Sequence, residues 1–239
     1  MFRKNYYSYF RSSGRGSTLT WTQEAIAGLH AVILQLKMAL NKTRIQILDV
    51  PCGDMKWMSR FLETRDDVDY VGIDVVPELI AHHKKAYRDR GWRFLQLDVV
   101  EDGIPVDGYD LIVSRTFLQH LYTADVLRVL KKFSESGSKY LFTTTFSKLV
   151  FNFELDLVDN QGRFRQLNLE VPPIALIPPL CTQRDGPPHI AEALEHFLAL
   201  WPLPLLQVVN CDKVKHFRIM NTGQDVYSCV EWSPYINLN

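Results

Sequence analysis

Three carboxylates fall at regular places in the first hundred residues: Asp49 in the run Asp49-Val-Pro-Cys-Gly-Asp54, Asp74 twenty-one positions after Gly53, and Asp98. Each ends or follows a short apolar run. A carboxylate at the second such end can accept both hydroxyls of a ribose, at the spacing of about 20 residues found in nucleotide-binding folds. One just past the third run can accept from the amino group of an adenine. Gly53, in the tight turn after the first run, lets the backbone come close to a ligand. Any one of these acids could equally be a helix cap or a turn former. Three in register on consecutive strand ends point to a ligand that contains a nucleoside.

The turn narrows the choice of ligand. A dinucleotide site uses GxGxxG so that the pyrophosphate rests on a helix N-terminus. Here Gly53 is the single glycine, with Pro51 and Met55 where flanking glycines would stand. A cofactor without phosphate suits this turn better, and S-adenosylmethionine is the obvious one. Two other readings stay open on the same scaffold: an inert cofactor- or partner-binding module, and a nicotinamide-dependent enzyme.

To bring those acids to one edge, strands and helices must alternate. Trp21, Ala25, Ile26, Leu29, Ile33, Leu36 and Leu40 have helical spacing and predict a helix over 21–40. The pattern then predicts strands over 45–50, 69–74, 92–97, 109–114 and 139–145. Helices over 55–63, 77–90 and 123–133 lie among them, with Pro77 where a proline commonly opens a helix. Such alternation calls for a parallel sheet with helices on both faces, whose ligands bind beyond the carboxyl ends of the strands. After Phe146 the rhythm breaks. Residues 151–188 hold six of the twelve prolines and read as an irregular insertion. A helix over 190–200 and late strands over 205–209 and 225–232 complete the pattern, the last alternating as an antiparallel edge strand would.

Composition sets the outer bounds. With 46% hydrophobic and 12% aromatic residues, 239 residues can fill one core and are too apolar for disorder. The 27 basic and 27 acidic residues cancel, leaving no global field for a polyanion, so general nucleic-acid binding is not expected. The best membrane candidate, 29–40, is interrupted by His30, Gln35 and Lys37. It falls short of the roughly 20 apolar residues that a span needs. The N-terminus is basic and aromatic without the apolar stretch of a signal peptide. Cys52, Cys181, Cys211 and Cys229 show no CxxC spacing, which suggests neither zinc nor a disulfide framework. A reducing, cytoplasmic location is the expectation. Asn41-Lys42-Thr43 fits a glycosylation sequon that nothing else supports.

The stretches LDVPCGD (48–54), YVGIDVVPELI (70–80), SRTFLQHL (114–121) and GSKYLFTTTF (137–146), followed by LNLEVPP, resemble the class I S-adenosylmethionine-dependent methyltransferases over roughly residues 14–180. The resemblance implies an α/β, Rossmann-like fold: a seven-stranded, mostly parallel sheet with helices on both faces and a lid inserted after strand five. Residues 1–20 would be a flexible N-terminal segment, and 21–239 a single domain with an acceptor-side insertion at about 147–190. The family pattern is an acid followed by three alternating glycines; this chain keeps the acid as Asp49 and only the middle glycine, Gly53. The implied cofactor contacts are Asp49, Pro51, Cys52, Gly53, Asp74, Val75, Asp98, Val99 and Ser114, with Cys52 beneath the cofactor. After strand four, Ser114-Arg115-Thr116-Phe117 lacks the Asn/Asp-Pro-Pro-Tyr of enzymes acting on amino groups of bases or glutamine. Arg115 and Thr145-Phe146 stand where metal-dependent O-methyltransferases carry carboxylates for Mg²⁺, so no catalytic metal is expected.

An alcohol or carboxylate acceptor remains, with a sugar or other small-molecule hydroxyl favoured. A hydroxyl is a poor nucleophile unless a base takes its proton. His120, six residues past Ser114 in the loop closest to the methyl group in this fold, is the candidate base. Arg115 would orient or polarise the acceptor. A structural helix-start role is the alternative for His120, with Glu154 and Asp156 as reserve bases. In the insertion, Glu154, Asp156, Arg163, Arg165 and Asn168 carry groups that hydrogen-bond sugar hydroxyls, or they belong to a solvated loop. His82, His83, His189 and His196 read as surface or packing residues, and Trp57 as core. Tyr6, Tyr7, Tyr9 and Phe10 fold over the cofactor, make a dimer contact or serve as a tether.

Overall fold

A computed structural model describes residues 13–155, 164–190, 195–211, 214–219 and 225–226. Its main sheet contains β1 (Ile45–Asp49), β2 (Val68–Asp74), β3 (Arg93–Gln96), β4 (Leu111–Ser114), β5 (Tyr140–Thr145), β6 (Cys181–Arg184) and β7 (Phe197–Pro202). Their order is β3-β2-β1-β4-β5-β7-β6. The first five strands pair in parallel, and β7 runs antiparallel between β5 and β6. The helices are α1 (Leu19–Leu40), α2 (Lys56–Leu62), α3 (Pro77–Ala86) and α4 (Thr123–Glu135).

Successive side chains along the central strands enter opposite layers, as the two-residue period of a strand requires. Ile47, Leu111, Val113, Phe142, Leu198 and Leu200 pack with Ala25, Leu29 and Ile33 of α1, Phe61 of α2 and Ile80 of α3. Leu48, Ile112, Leu141, Ala199 and Trp201 pack with Val126, Val129, Leu130 and Phe133 of α4. Both faces are apolar, which is why the strands read as continuous hydrophobic runs. In α1 the buried residues Thr22, Ala25, Leu29, Val32, Ile33 and Leu36 form one stripe. The helix ends at Asn41 in the left-handed region (φ 50°). There the Asn41 and Lys42 N–H groups donate to the Met38 and Lys37 carbonyls, closing the last turn.

The insertion is irregular, as expected, yet it is part of the core. Leu167, Leu169, Ile174, Leu176 and Ile177 join the α4 layer. The Phe146 N–H donates to the Leu167 carbonyl (3.0 Å), and the Trp201 indole donates to the Ile177 carbonyl (2.8 Å).

Two expectations need correction. Residues 197–202, the first four of which were expected within a helix over 190–200, form β7, whose backbone pairs along the whole of β5. Phe197-Leu-Ala-Leu-Trp-Pro202 is a short apolar run buried on both sides, and such a run carries no period that separates helix from strand. Residues 181–184, read as loop, form β6; their mixed, half-buried side chains hide the strand from any hydrophobic pattern. The predicted strand over 205–209 is β8 (Leu206–Cys211), outside the main sheet. It pairs antiparallel with β9 (Val214–Ile219), and β9 with β10 (Asp225–Val226). The rest of the predicted strand over 225–232 lies outside the described residues. No described helix is long and apolar enough to cross a membrane.

Candidate functional site

At the carboxyl ends of the parallel strands two adjoining cavities share Pro51, Asp74, Val75, Phe117 and Leu121 in their walls. The smaller, of about 120 Å³, is completed by Val50, Ile73, Leu97, Asp98, Val99 and Val100, so Asp74 and Asp98 are its acids among the described residues. The larger, of about 700 Å³, runs from the glycine turn to the insertion and includes Trp21, Cys52, Gly53, Trp57, Arg115, His120, Phe164 and His196.

The turn after β1 is tied down from three sides. Cys52 N–H donates to the Ile73 carbonyl (2.8 Å). Gly53, at φ 52°, donates its N–H to Asp74 Oδ2 (3.1 Å), and its carbonyl meets His83 Nε2 at 2.7 Å. His83 is 1% exposed. It was expected to be a surface or packing residue; it packs, and it also anchors the turn. Above the turn sits Ser13, whose Oγ would stand 2.6 Å from a Cβ at position 53. The Ser13 N–H and the Ser17 hydroxyl both donate to Asp54 Oδ2 (2.8 and 2.9 Å), and the Asp54 N–H donates to Ser13 Oγ (2.9 Å). Residues 13–17, within the segment expected to be flexible, are thus bonded to the turn.

Asp74 accepts the Gly53 N–H at one oxygen and the Val76 N–H at the other (3.0 Å). A carboxylate has lone-pair sites beyond these two bonds, available to hydroxyl donors. Burial raises the Asp74 pKa, opposed by its backbone N–H bonds. Asp98 Oδ1 accepts the Val100 N–H (3.0 Å) and shapes the turn after β3. Asp49 lies under the turn, 2% exposed, accepting the Tyr70 hydroxyl (2.8 Å); burial pushes its carboxyl up to about 8. Neither Asp49 nor Ser114 is in the wall of either cavity; the Ser114 carbonyl accepts the Thr143 hydroxyl (2.6 Å).

Across the larger cavity, Arg115 is held with its side chain 6% exposed. Its Nε donates to Asp185 Oδ1 (2.8 Å), its Nη1 donates to the Gly16 carbonyl (2.8 Å), and the guanidinium carbon lies 5.6 Å from the Trp57 ring centroid. His196 Nδ1 meets the Asp185 carbonyl at 3.0 Å, and burial is the main cause that lowers its pKa. His120 is exposed, its ring 5.4 Å from that of Phe164. Four wall residues carry buried polar atoms with no hydrogen-bond partner among the described residues: Trp21 Nε1, Arg115 Nη2, Thr116 Oγ1 and His196 Nε2. Buried polar groups are rarely left unpaired, so the larger cavity has the character of a site for a polar ligand. The smaller has apolar faces for a purine and a carboxylate for its amino group. Together they fit a nucleoside with a polar, phosphate-free extension.

The insertion residues expected at the acceptor do other work. Arg165, 1% exposed, donates to the Leu121, Thr123 and Phe153 oxygens and pairs with Glu154 (3.2 Å). Glu154 accepts the Thr123 N–H, and Asn168 donates to the Leu149 carbonyl (2.7 Å). None of the three lines either of these two cavities; Leu155 and Phe164 line the larger. Asp156, Arg163, Tyr6, Tyr7, Tyr9 and Phe10 lie outside the described residues. Among the described residues, no three or more His, Cys, Asp or Glu side chains gather in a way that could hold a metal ion.

The family model described as a methyltransferase domain matches residues 48–136, from the end of β1 to just past α4. Over 119 residues the chain is 29% identical to malonyl-acyl-carrier-protein O-methyltransferase of Acetivibrio thermocellus; the match spans 48% of this chain and 42% of that one. The chain thus spans less than half the length of the curated relative it matches. Among solved structures, the PH0226 protein of Pyrococcus horikoshii superposes with a TM-score of 0.52 at 16% identity, covering 84% of this chain and 99% of that one. That likeness bears on the fold alone, and it extends well beyond the matched domain. Residues 48–136 thus carry a methyltransferase domain of the class I, S-adenosylmethionine-dependent type, for which S-adenosylmethionine is the cofactor.

Proposed function

We propose that this protein methylates a hydroxyl oxygen of a small molecule, with sugars the first class to test, and that it does so without a metal. The observation that carries the reading is the two-part cavity joined at Asp74. One part suits a purine, the other is lined by unpaired polar atoms, and the connecting turn is unsuited to a pyrophosphate. When bound, the cofactor supplies an electrophilic methyl group on a sulfonium. Asp98 accepts from the adenine amino group between the apolar walls of Val75 and Val99. Asp74 accepts from the ribose hydroxyls, while Pro51, Cys52 and Gly53 offer close backbone approach. Asp49 and Ser114 act from beneath, holding β1 and β4 in place.

On the acceptor side Arg115, fixed by Asp185 and the Gly16 carbonyl, orients the hydroxyl-bearing molecule. His120 and Phe164 contact it at the mouth, and Leu155 of the insertion closes the wall. Holding two reactants in line is worth roughly 7–11 kcal/mol of barrier, so this positioning is the main contribution of the chain. The O-methyltransferase name of the Acetivibrio relative supports an oxygen acceptor. The setting is a reducing cytoplasm, in which Cys52 and Cys181 stay free thiols. The test is a screen of glycosides and simple alcohols for S-adenosylhomocysteine release. Turnover with amines or thiols and none with hydroxyl compounds would overturn the assignment.

A further inference from the structure

Resting on the hydroxyl-acceptor reading above, we propose that His196 is the general base of the reaction, held by Asp185, with Arg115 as the positioning residue that fixes Asp185. His196 immediately precedes β7 and Asp185 immediately follows β6, so the pairing of these two strands brings the residues side by side. They are locked in both directions. The Asp185 N–H donates to the His196 carbonyl (2.9 Å), and the His196 ring meets the Asp185 carbonyl through Nδ1 (3.0 Å). A carbonyl oxygen can only accept, so Nδ1 carries the proton and the neutral ring keeps its lone pair on Nε2. That atom is buried, has no partner among the described residues, and belongs to a wall residue of the larger cavity. The Phe146 ring, 4.7 Å away centroid to centroid, fixes the plane of the imidazole.

Two charged groups face the ring among the described residues. The Asp185 carboxylate has Oδ2 3.7 Å from Nδ1, and Arg115 is bonded to the other carboxylate oxygen. Burial and the Arg115 charge lower the His196 pKa, and Asp185 raises it, with the balance downward. The ring is therefore neutral at pH 7 and able to accept. As the acceptor oxygen takes the methyl group, its hydroxyl proton passes to Nε2. The electron pair of the broken carbon–sulfur bond stays on sulfur. The imidazolium so formed lies against the Asp185 carboxylate and later returns its proton to water. His120, by contrast, is exposed at the mouth against Phe164.

Nuclear magnetic resonance of the imidazole nitrogens in the wild-type full chain, without ligand, tests the resting state; the His196→Gln spectrum assigns the signal. The expected result is an Nδ1–H tautomer with a bare Nε2 at pH 7 and a pKa below the ordinary value of about 6.5. The opposite tautomer, or an ordinary or raised pKa, overturns the proposal. Kinetics test the role. His196→Gln should bind S-adenosylhomocysteine as the wild type does. Its turnover should fall roughly 10²- to 10⁴-fold, without the acidic limb of the pH profile. His120→Gln should change KM for the acceptor and keep that limb. If the limb disappears with His120 and survives in His196→Gln, His120 is the base and the proposal fails. A wild-type chain that binds neither S-adenosylmethionine nor its homocysteine product refutes the parent reading, and the base falls with it. Binding and turnover with the limb intact in His196→Gln refute the base alone.

Discussion

Asp74 stands in the wall of both cavities and already receives two backbone N–H groups. Its removal takes away the proposed acceptor for the ribose and frees the glycine turn. Asp74→Ala should weaken S-adenosylmethionine binding by about 2–3 kcal/mol in calorimetry, the worth of a charged acceptor. Wild-type affinity would put the cofactor elsewhere. Asp49 has a different signature, because burial lifts its carboxyl from 3.8 to about 8. Between those two values the folded chain holds a proton that the unfolded chain has released, so this group favours folding less and less as pH rises. Asparagine keeps an acceptor for the Tyr70 hydroxyl and does not titrate. The melting temperature of Asp49→Asn should therefore gain on the wild type from pH 5 to pH 8, and a constant difference would contradict the buried carboxyl. Arg115 and Thr145-Phe146 hold the two strand ends where a metal would need carboxylates, so turnover should survive EDTA; loss of activity restored by Mg²⁺ would refute the metal-free reading. The places of Gly53, Asp74 and Asp98 at the strand ends were legible in the sequence, because local pattern alone marks such ends. His196 was not, since its meaning comes from Asp185 on a neighbouring strand and from Arg115, 70 residues from Asp185 along the chain.

Helix α1 lies against the edge strand β6 because position 28 has no side chain. A Cβ on Gly28 would stand 2.8 Å from the Cβ of Gln183, an atom too near its own backbone to move aside. Alanine gains about 1 kcal/mol of helix propensity over glycine. Overpacking costs about 1–3 kcal/mol, so the substitution should destabilise on balance. Gly28→Ala is expected to lower the melting temperature by roughly 2–4 °C, and an unchanged or higher value would mean that α1 and β6 are farther apart. The same contact explains a gap in sequence reading. β6 is Cys181-Thr-Gln-Arg184, without apolar alternation, and it is specified by its pairing with β7 and by the cover of α1. β7 was misread for the opposite reason: its run is uniformly apolar, and only its place between two strands makes it a strand.

For the molecule as a whole, the five parallel strands and four helices were legible because each carries its own period and turn residues. The insertion was legible as irregular chain. Its burial of five aliphatic residues against α4 depends on contacts more than thirty residues apart, which no local pattern encodes. The cofactor assignment draws on this whole arrangement: a crevice at the strand ends, acids in its wall at two of them, and a turn bonded by residues 13–17 from above and His83 from the side. Titration calorimetry of the full chain with S-adenosylmethionine, S-adenosylhomocysteine and NAD⁺ tests it most directly. The account predicts that the first two bind with one molecule per chain and that NAD⁺ does not bind. Binding of NAD⁺, or no heat with either sulfur compound, would contradict it.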